Sequence, residues 1–495
     1  MDKLLELKDI CKSFGGVRAL KNVDLTIGKG ETHCLAGENG SGKSTAIKII
    51  SGFYTADTGE LFIDGKKREK ITATDAIKAG IQVIYQDFSL FPNLTVRENL
   101  ALNQLLEKRK KIVSKKEMEK IAKQAVSKID FDIDLNTLVD ELSVADKQLV
   151  AISRALLENA RLIIMDEPTT TLTRKEIERL FSIVRSLKEQ GVTILFVSHK
   201  LEEVYEICDK ITILRNGENV ITCPISEIDD KKFAYYMTGR EFDERKNVSK
   251  ENKSDAILET KSISANGFED ISLSLRHGEI LGITGQLGSG RSELALSLFG
   301  LNPLSSGEIL VKGKKVNIRN VQDAMDLKIA LVPEDRLSEG LFLSQSIKKN
   351  ITVSQLDKLT SSIGIIKPKV IEDESNKWVE DIGVVTGDHN LSASTLSGGN
   401  QQKVVLSRWL STHPEILILN APTVGVDIGA KYDIHGLLKK YASEGMSIIV
   451  VSDDASEIIN TCDRVLVMKG GRITKEMPTE NLDSKVLASE IISYE

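Results

Sequence analysis

The stretch GENGSGKST, Gly37 to Thr45, decides how the rest of the chain is read. It fits the pattern G-x-x-x-x-G-K-[ST], follows the strand-like run THCLA and opens the helical pattern STAIKII, the context in which that pattern cradles phosphate. Glycines let successive backbone N–H groups curl around a phosphate chain, and the helix N-terminus adds partial positive charge. Lys43 is then placed to bridge the β and γ phosphates, and Ser44 to reach Mg²⁺. Gly37, Glu38, Asn39, Gly40, Ser41, Gly42, Lys43, Ser44 and Thr45 are therefore the candidate nucleotide contacts.

The loop has a second copy. GQLGSGRSE begins at Gly285, a shift of 248, and the same shift carries IQVIYQD at Ile81 onto IALVPED at Ile329. Further along the shift becomes 254: LSVADKQ at Leu142 faces LSGGNQQ at Leu396, and FVSHKLEEV at Phe196 faces VVSDDASEI at Val450. Two homologous domains follow, with a net six-residue insertion in the second between Glu334 and Leu396. The polar run Gly239 to Ala256 lacks apolar periodicity and reads as a linker. The expected division is domain one over 1–245, linker over 246–255 with the boundary near Lys250, and domain two over 256–495. Within each half, apolar β-rich runs such as LIIMD and TILFVS alternate with helical patterns, which predicts an α/β fold with a mainly parallel sheet. A helical subdomain is expected between about Asn99 and Ile129.

Composition narrows the class. The chain has 495 residues and a net charge of -6, which argues against a nucleic-acid partner; the basic run Glu107 to Lys120 reads as a solvated helix face. Apolar runs are far shorter than the roughly 18 residues a membrane helix needs, so any membrane role is expected to be peripheral. Five cysteines (Cys11, Cys34, Cys208, Cys223, Cys462) form no C-x-x-C pair and suit a reducing cytosol, as buried small hydrophobes.

The chemistry gathers in the first half. LIIMDEPT is a buried-strand pattern that delivers Asp166 and Glu167 at its carboxyl end, where ligands sit in open α/β sheets. Asp166 suits a Mg²⁺ shell and Glu167 a general base for the attacking water. A phosphate loop, Gln86 after a strand, an LS-x-x-x-x-Q segment before DEPT and His199 after the next strand together resemble the ATP-binding-cassette ATPases. GENGSGKST, LSVADKQLVAISRAL, GQLGSGRSEL, VPEDRLSEGL and LSGGNQQKVVLSRWL are most similar to the tandem-cassette ATPase subunits of bacterial monosaccharide importers of the ribose and galactose type.

That resemblance implies two P-loop domains, each with a mainly parallel core, an antiparallel β part and a helical subdomain. It implies ATP and Mg²⁺ as cofactors, with Ser44, Gln86 and Asp166 holding the metal. It implies that Phe14 stacks on adenine, that Gln86 links the nucleotide site to the membrane partner, and that His199 contacts the γ-phosphate. Each has a plainer reading: a core aromatic, a strand-end polar residue and a helix cap. Phe88, Leu90, Phe91 and Leu94 fall near the docking surface that such ATPases offer to a permease, or form a core strip. The implied partners are integral-membrane permease subunits and, indirectly, an extracytoplasmic sugar-binding protein, with this chain on the cytoplasmic face of the cell membrane. Nucleoside or other small-carbohydrate importers share much of the pattern. A tandem ATPase acting on ribosomes or DNA would instead carry a long charged linker, two intact acid pairs or C-x-x-C insertions.

The second half departs from the first at its chemical positions. Arg291 replaces the loop lysine between Gly290 and Ser292, Glu334 replaces Gln86, Asn420 and Ala421 replace the acid pair, and Asp453 replaces His199. With Asn420 neutral and Ala421 unable to accept a proton, the sequence predicts loss of both the local Mg²⁺ shell and the base. The exception is the signature, Ser397, Gly398, Gly399 and Asn400, whose glycines permit close backbone approach to phosphate; the first half has Val144, Ala145 and Asp146 there. In the family resembled, each ATP is held by the phosphate loop of one cassette and the signature of the other. That implies one working site with Lys43, Asp166, Glu167 and His199 served in trans by the signature, and one degenerate site with Gly285, Gly290, Arg291, Ser292, Asn420, Ala421 and Asp453. The later loop agrees, with Asp427 in the second half where the first has Thr173.

Overall fold

The computed structural model describes residues 2–85, 88–107, 114–169, 172–198, 200–241, 255–361 and 364–492. The chain divides into two compact units, Met1–Phe242 and Asp243–Glu495. The expected linker lies almost wholly outside the described residues.

Each unit holds a six-stranded and a four-stranded sheet. In the first unit the larger sheet runs Ile81–Ile84, Leu162–Asp166, Thr193–Val197, Thr32–Ala36, Lys210–Arg215, Glu218–Pro224, parallel throughout except for the last, antiparallel pair. The second unit repeats this order with Ile329–Val332, Ile416–Asn420, Ser447–Val451, Ile280–Gly285, Arg464–Lys469 and Arg472–Pro478. The four-stranded sheets are antiparallel: Val17–Gly28, Lys3–Phe14, Thr58–Ile63 and Lys66–Arg68, with the counterpart Phe268–Arg276, Ala256–Ala265, Leu304–Val311 and Lys314–Val316. The α/β expectation therefore holds for both halves, antiparallel part included.

The unbroken apolar strands have a direct cause: one face of the parallel sheet is covered by helices and the other by the antiparallel sheet with the Arg291–Leu298 helix in the second unit, so every position is buried. In the second unit Leu417, Leu419, Ile448 and Val450 pack into one core, while Ile416, Ile418, Ile449 and Val451 enter the other. Successive residues thus feed opposite cores, as a period of two requires.

The helical subdomain is present as Val96–Glu107 and Lys115–Val126, with residues 108–113 outside the described set. Lys115, Lys116 and Lys120 are exposed, as a solvated face demands. All five cysteines are free thiols, four of them buried. Among the described residues no helix is long and apolar enough to cross a membrane.

Candidate functional site

The first phosphate loop joins Thr32–Ala36, an inner strand of the sheet, to the helix Lys43–Ile50. Gly42, the residue before that helix, has φ +106, and a Cβ on it would meet the Ala19 carbonyl at 2.7 Å, so only glycine fits without strain. Lys43 is 7 % exposed, and its Nζ donates to the carbonyls of Gly37 at 2.6 Å and Glu38 at 3.0 Å. The ammonium is thus folded across the loop that would hold phosphate. Burial pushes it below its ordinary lysine range, and the Glu167 and Asp166 carboxylates pull it back.

Asp166 ends its strand beside the phosphate loop, because parallel strands deliver their carboxyl ends to one edge. Burial first, and then the adjacent Glu167 carboxylate, push the Asp166 carboxyl up; Lys43 opposes this. Glu167 has φ +47, a left-handed conformation rare for a residue with a Cβ, and its N–H donates to the Val197 carbonyl at 3.0 Å. Such strain collects at functional positions. Phe14 ends its strand 41 % exposed, with its ring 5.0 Å from that of Tyr54 and the Lys12 ammonium 5.4 Å from its centroid, so the plain core reading fails. Gln86 and His199 lie outside the described residues.

The second loop has the same backbone with different chemistry. Gly290 has φ +91, and the Arg291 guanidinium donates to the Gly285 carbonyl while its other nitrogen lies 3.3 Å from Asp453. Ala421 keeps the position of Glu167 to the dihedral: φ +49, with its N–H donating to Val451 at 2.8 Å. The second half has lost a carboxylate while keeping the backbone that presents one. Ala265 takes the hairpin position of Phe14, since it pairs with Phe268 as Phe14 pairs with Val17.

The signature region departs from the sequence account in its physical cause. Ser397 precedes the helix Gly398–Leu410, and Asn400 donates to its Oγ at 3.1 Å. A Cβ on Gly399 would lie 2.4 Å from the Ala430 Cβ, and one on Gly398 would lie 2.7 Å from the Gly425 carbonyl. These glycines are therefore required by packing inside their own unit, besides any approach to phosphate. In the first unit Ser143 Oγ donates to Asp146 at 2.8 Å, so that serine is already engaged by a carboxylate at the anion-favouring end of its helix. Asp427 and Thr173 both cap the helices that follow them, Asp427 accepting from the Ala430 N–H at 2.8 Å and Thr173 sharing a capping box with Glu176.

Two features escaped the sequence. The insertion begins as a π-helical turn, Arg336–Gly340, anchored by Asp335, and Arg336 donates to the carbonyls of Val424 at 2.7 Å and Gly425 at 2.9 Å. It thereby ties the loop before Asp427 to the region of the signature. Second, Phe91, which the sequence did offer as a docking residue, is 51 % exposed and has an unforeseen equivalent in Phe342, 56 % exposed. Each is held through its backbone by one buried asparagine: Asn99 accepts from the Phe91 N–H at 2.8 Å, and Asn350 from Phe342 at 2.9 Å. Arg408 stacks on Phe342 and hydrogen-bonds Asn350, and burial pushes its guanidinium down to about 10. Phe88, Leu90 and Leu94 are half-buried beside Phe91.

A phosphate loop on an inner parallel strand, an acid pair ending the strand two places along the same sheet and a signature helix define a P-loop ATPase of the cassette type. A family model described as ABC transporter matches the chain twice, over residues 20–170 and 268–424. The chain belongs to the ABC transporter family and carries two of its ATP-binding cassettes. It is similar to the ribose import ATP-binding protein RbsA of Clostridium perfringens (strain 13 / Type A), 40% identical over 478 residues that cover 96% of this chain and 95% of that one. The protein of the same name from Bacillus subtilis (strain 168) is 39% identical over 474 residues, 96% of each. A solved structure, the ADP conformation of an ATP-binding cassette of an ABC transporter, is 28% identical and covers 48% of this chain and 100% of that one, with TM-score 0.44.

Proposed function

We propose that this chain is the ATP-hydrolysing subunit that powers import of a simple sugar, ribose foremost, through a separate membrane permease, and that only its first cassette performs hydrolysis. The observation that carries the asymmetry is one backbone with two chemistries: Glu167 and Ala421 share φ and hydrogen bonding, and one alone can accept a proton. The full-length similarity to ribose import ATP-binding proteins supports the substrate class.

In the first cassette the loop N–H groups and Lys43 hold the β and γ phosphates, and Phe14 offers its face to adenine. Glu167 takes a proton from the water that attacks the γ-phosphate in line, a contribution of about 10²- to 10⁴-fold. Ser44, Gln86 and Asp166 would hold Mg²⁺, and Asp166 fits that part because its carboxyl is half-buried beside the Glu167 carboxylate, a pairing that a cation relieves. A bound Mg²⁺ supplies charge neutralisation on the phosphate oxygens. His199 is assigned to the γ-phosphate, and Ser397, Gly398, Gly399 and Asn400 are assigned to the same nucleotide, as the family resemblance implies.

Phe91 and Phe342, each the exposed tip of an asparagine-held loop, would dock the permease subunits at the cytoplasmic face of the membrane, with an extracytoplasmic sugar-binding protein delivering substrate. Both cassettes keep this aromatic although one has lost its base, which suits a symmetric permease driven by an asymmetric motor. The test is uptake of labelled pentoses, hexoses and nucleosides in cells with and without this subunit. Ribose uptake that depends on the subunit and fails with Glu167→Gln is expected; dependence for nucleosides alone would reassign the substrate.

A further inference from the structure

Between the two cassettes a carboxylate and a carboxamide have changed places. The first has Gln86 after one strand and Asp166 at the end of the next; the second has Glu334 and Asn420 at those positions. Each set, with its loop serine, comprises one hydroxyl, one carboxylate and one amide. In the second cassette the three side chains converge. Ser292 Oγ donates to Glu334 Oε2 at 3.0 Å and to Asn420 Oδ1 at 3.3 Å, and Asn420 Nδ2 reaches Glu334 Oε2 at 3.3 Å.

We propose that Ser292, Glu334 and Asn420 form a divalent-cation site, so that the second cassette holds a Mg²⁺-nucleotide without hydrolysing it. This replaces the loss of the metal shell expected from Asn420 alone, and it rests on reading the second loop as nucleotide-binding. Mg²⁺ prefers an octahedron of oxygens at 2.0–2.1 Å, whose adjacent ligands lie about 3.0 Å apart. The oxygen pairs of Ser292 with Glu334 and with Asn420 match such edges to within a few tenths of an ångström. The single negative charge is conserved, since Glu334 supplies what Asn420 has given up.

The phosphate cradle beside this cluster is also intact. Gly290 keeps its left-handed turn, and Ser289, 4 % exposed, has a buried Oγ under the loop with no partner among the described residues. Arg291 is 6 % exposed and lies 3.3 Å from Asp453, an ion pair that offsets its charge without removing its N–H donors. What differs is the position of the base: Ala421 presents a methyl group where Glu167 presents a carboxylate. A nucleotide bound there with its metal has no proton acceptor at that position. Ala265 at the position of Phe14 leaves the phosphates and the cation as the main points of recognition.

The experiment counts Mn²⁺, as a probe for Mg²⁺, bound to the full chain at saturating ADP by equilibrium dialysis, as the excess of Mn²⁺ on the protein side over a protein-free side holding the same free ADP. Two ions per chain are expected for the wild type. Glu334→Gln should bind one, its second site weakened at least about tenfold because ligand charge sets affinity. The exchange Glu334→Gln with Asn420→Asp, which recreates the ligand set of the first cassette, should restore two and shows that loss in the single variant is not misfolding. Asp166→Asn should remove the other ion. One ion in the wild type, or two retained in Glu334→Gln, overturns the proposal. Steady-state turnover of the wild type is read separately: hydrolysis with one Mn²⁺ bound sinks this inference and spares the proposed function, and two bound ions without hydrolysis does the reverse.

Discussion

Replacing Glu167 by glutamine removes a carboxylate and changes little else. Gln keeps the side-chain length, the Cβ and the N–H donated to Val197, so the left-handed backbone at φ +47 costs about what it did before, roughly 1–2 kcal/mol. Stability should therefore move by less than about 0.5 kcal/mol. Turnover loses its general base, about 10²- to 10⁴-fold, or roughly 3 to 5 kcal/mol of barrier at 1.36 kcal/mol per decade. ATP affinity should hold or rise, because Glu167 is the leading carboxylate acting on Lys43 and also pushes up Asp166. With that charge gone, Lys43 is freer to pair with phosphate and one source of repulsion disappears. The assay is phosphate release at saturating ATP, with nucleotide binding measured on the same preparation. The reciprocal change, Ala421→Glu, puts a carboxylate on a backbone already shaped for it, yet turnover should stay at the wild-type level. Turnover of Glu167→Gln within about tenfold of wild type, below the smallest general-base effect, would refute a single hydrolytic site, as would a large gain from Ala421→Glu.

Gly399→Ala forces a Cβ to within 2.4 Å of Ala430; overpacking of this kind costs about 1–3 kcal/mol, and thermal unfolding of the full chain should show a midpoint several degrees lower. An unchanged midpoint would show that the helices shift freely and that packing does not require the glycine. Arg336→Ala removes two charge-assisted hydrogen bonds to Val424 and Gly425, and turnover should fall about tenfold or more while ATP affinity stays put, since the contact positions the signature rather than the phosphate loop. Equal losses in both would point to general unfolding. Phe14→Ala should raise the KM for ATP about threefold to tenfold, the worth of one aromatic face at roughly 0.5–1.5 kcal/mol, with kcat unaffected. Phe91→Ala and Phe342→Ala should each cut sugar uptake and association with permease-containing membranes while the detached subunit still hydrolyses ATP; uptake unchanged in both would remove these aromatics from the docking surface.

Much of this protein was written in local strings. The repeat, the two phosphate loops, the signature and the loss of Glu at position 421 are short runs in which residue type alone carries the chemistry. The unbroken apolar strands announced a sheet buried on both faces, and the paired shifts of 248 and then 254 residues announced two copies of it. Tertiary structure decided what depends on segments remote in sequence. Glu334 and Asn420 stand 86 residues apart, and nothing in either string says that the charge given up by one is supplied by the other. The insertion looked like spacing until its Arg336 was found on Val424, 88 residues away. Gly398 and Gly399 read as phosphate-contacting glycines because the motif is local, whereas the atoms that forbid a Cβ belong to Gly425 and Ala430. Patterns of residue type encode periodicity and local chemistry. They do not encode which surfaces meet, and it is packing between distant elements that fixes charge balance and close approach.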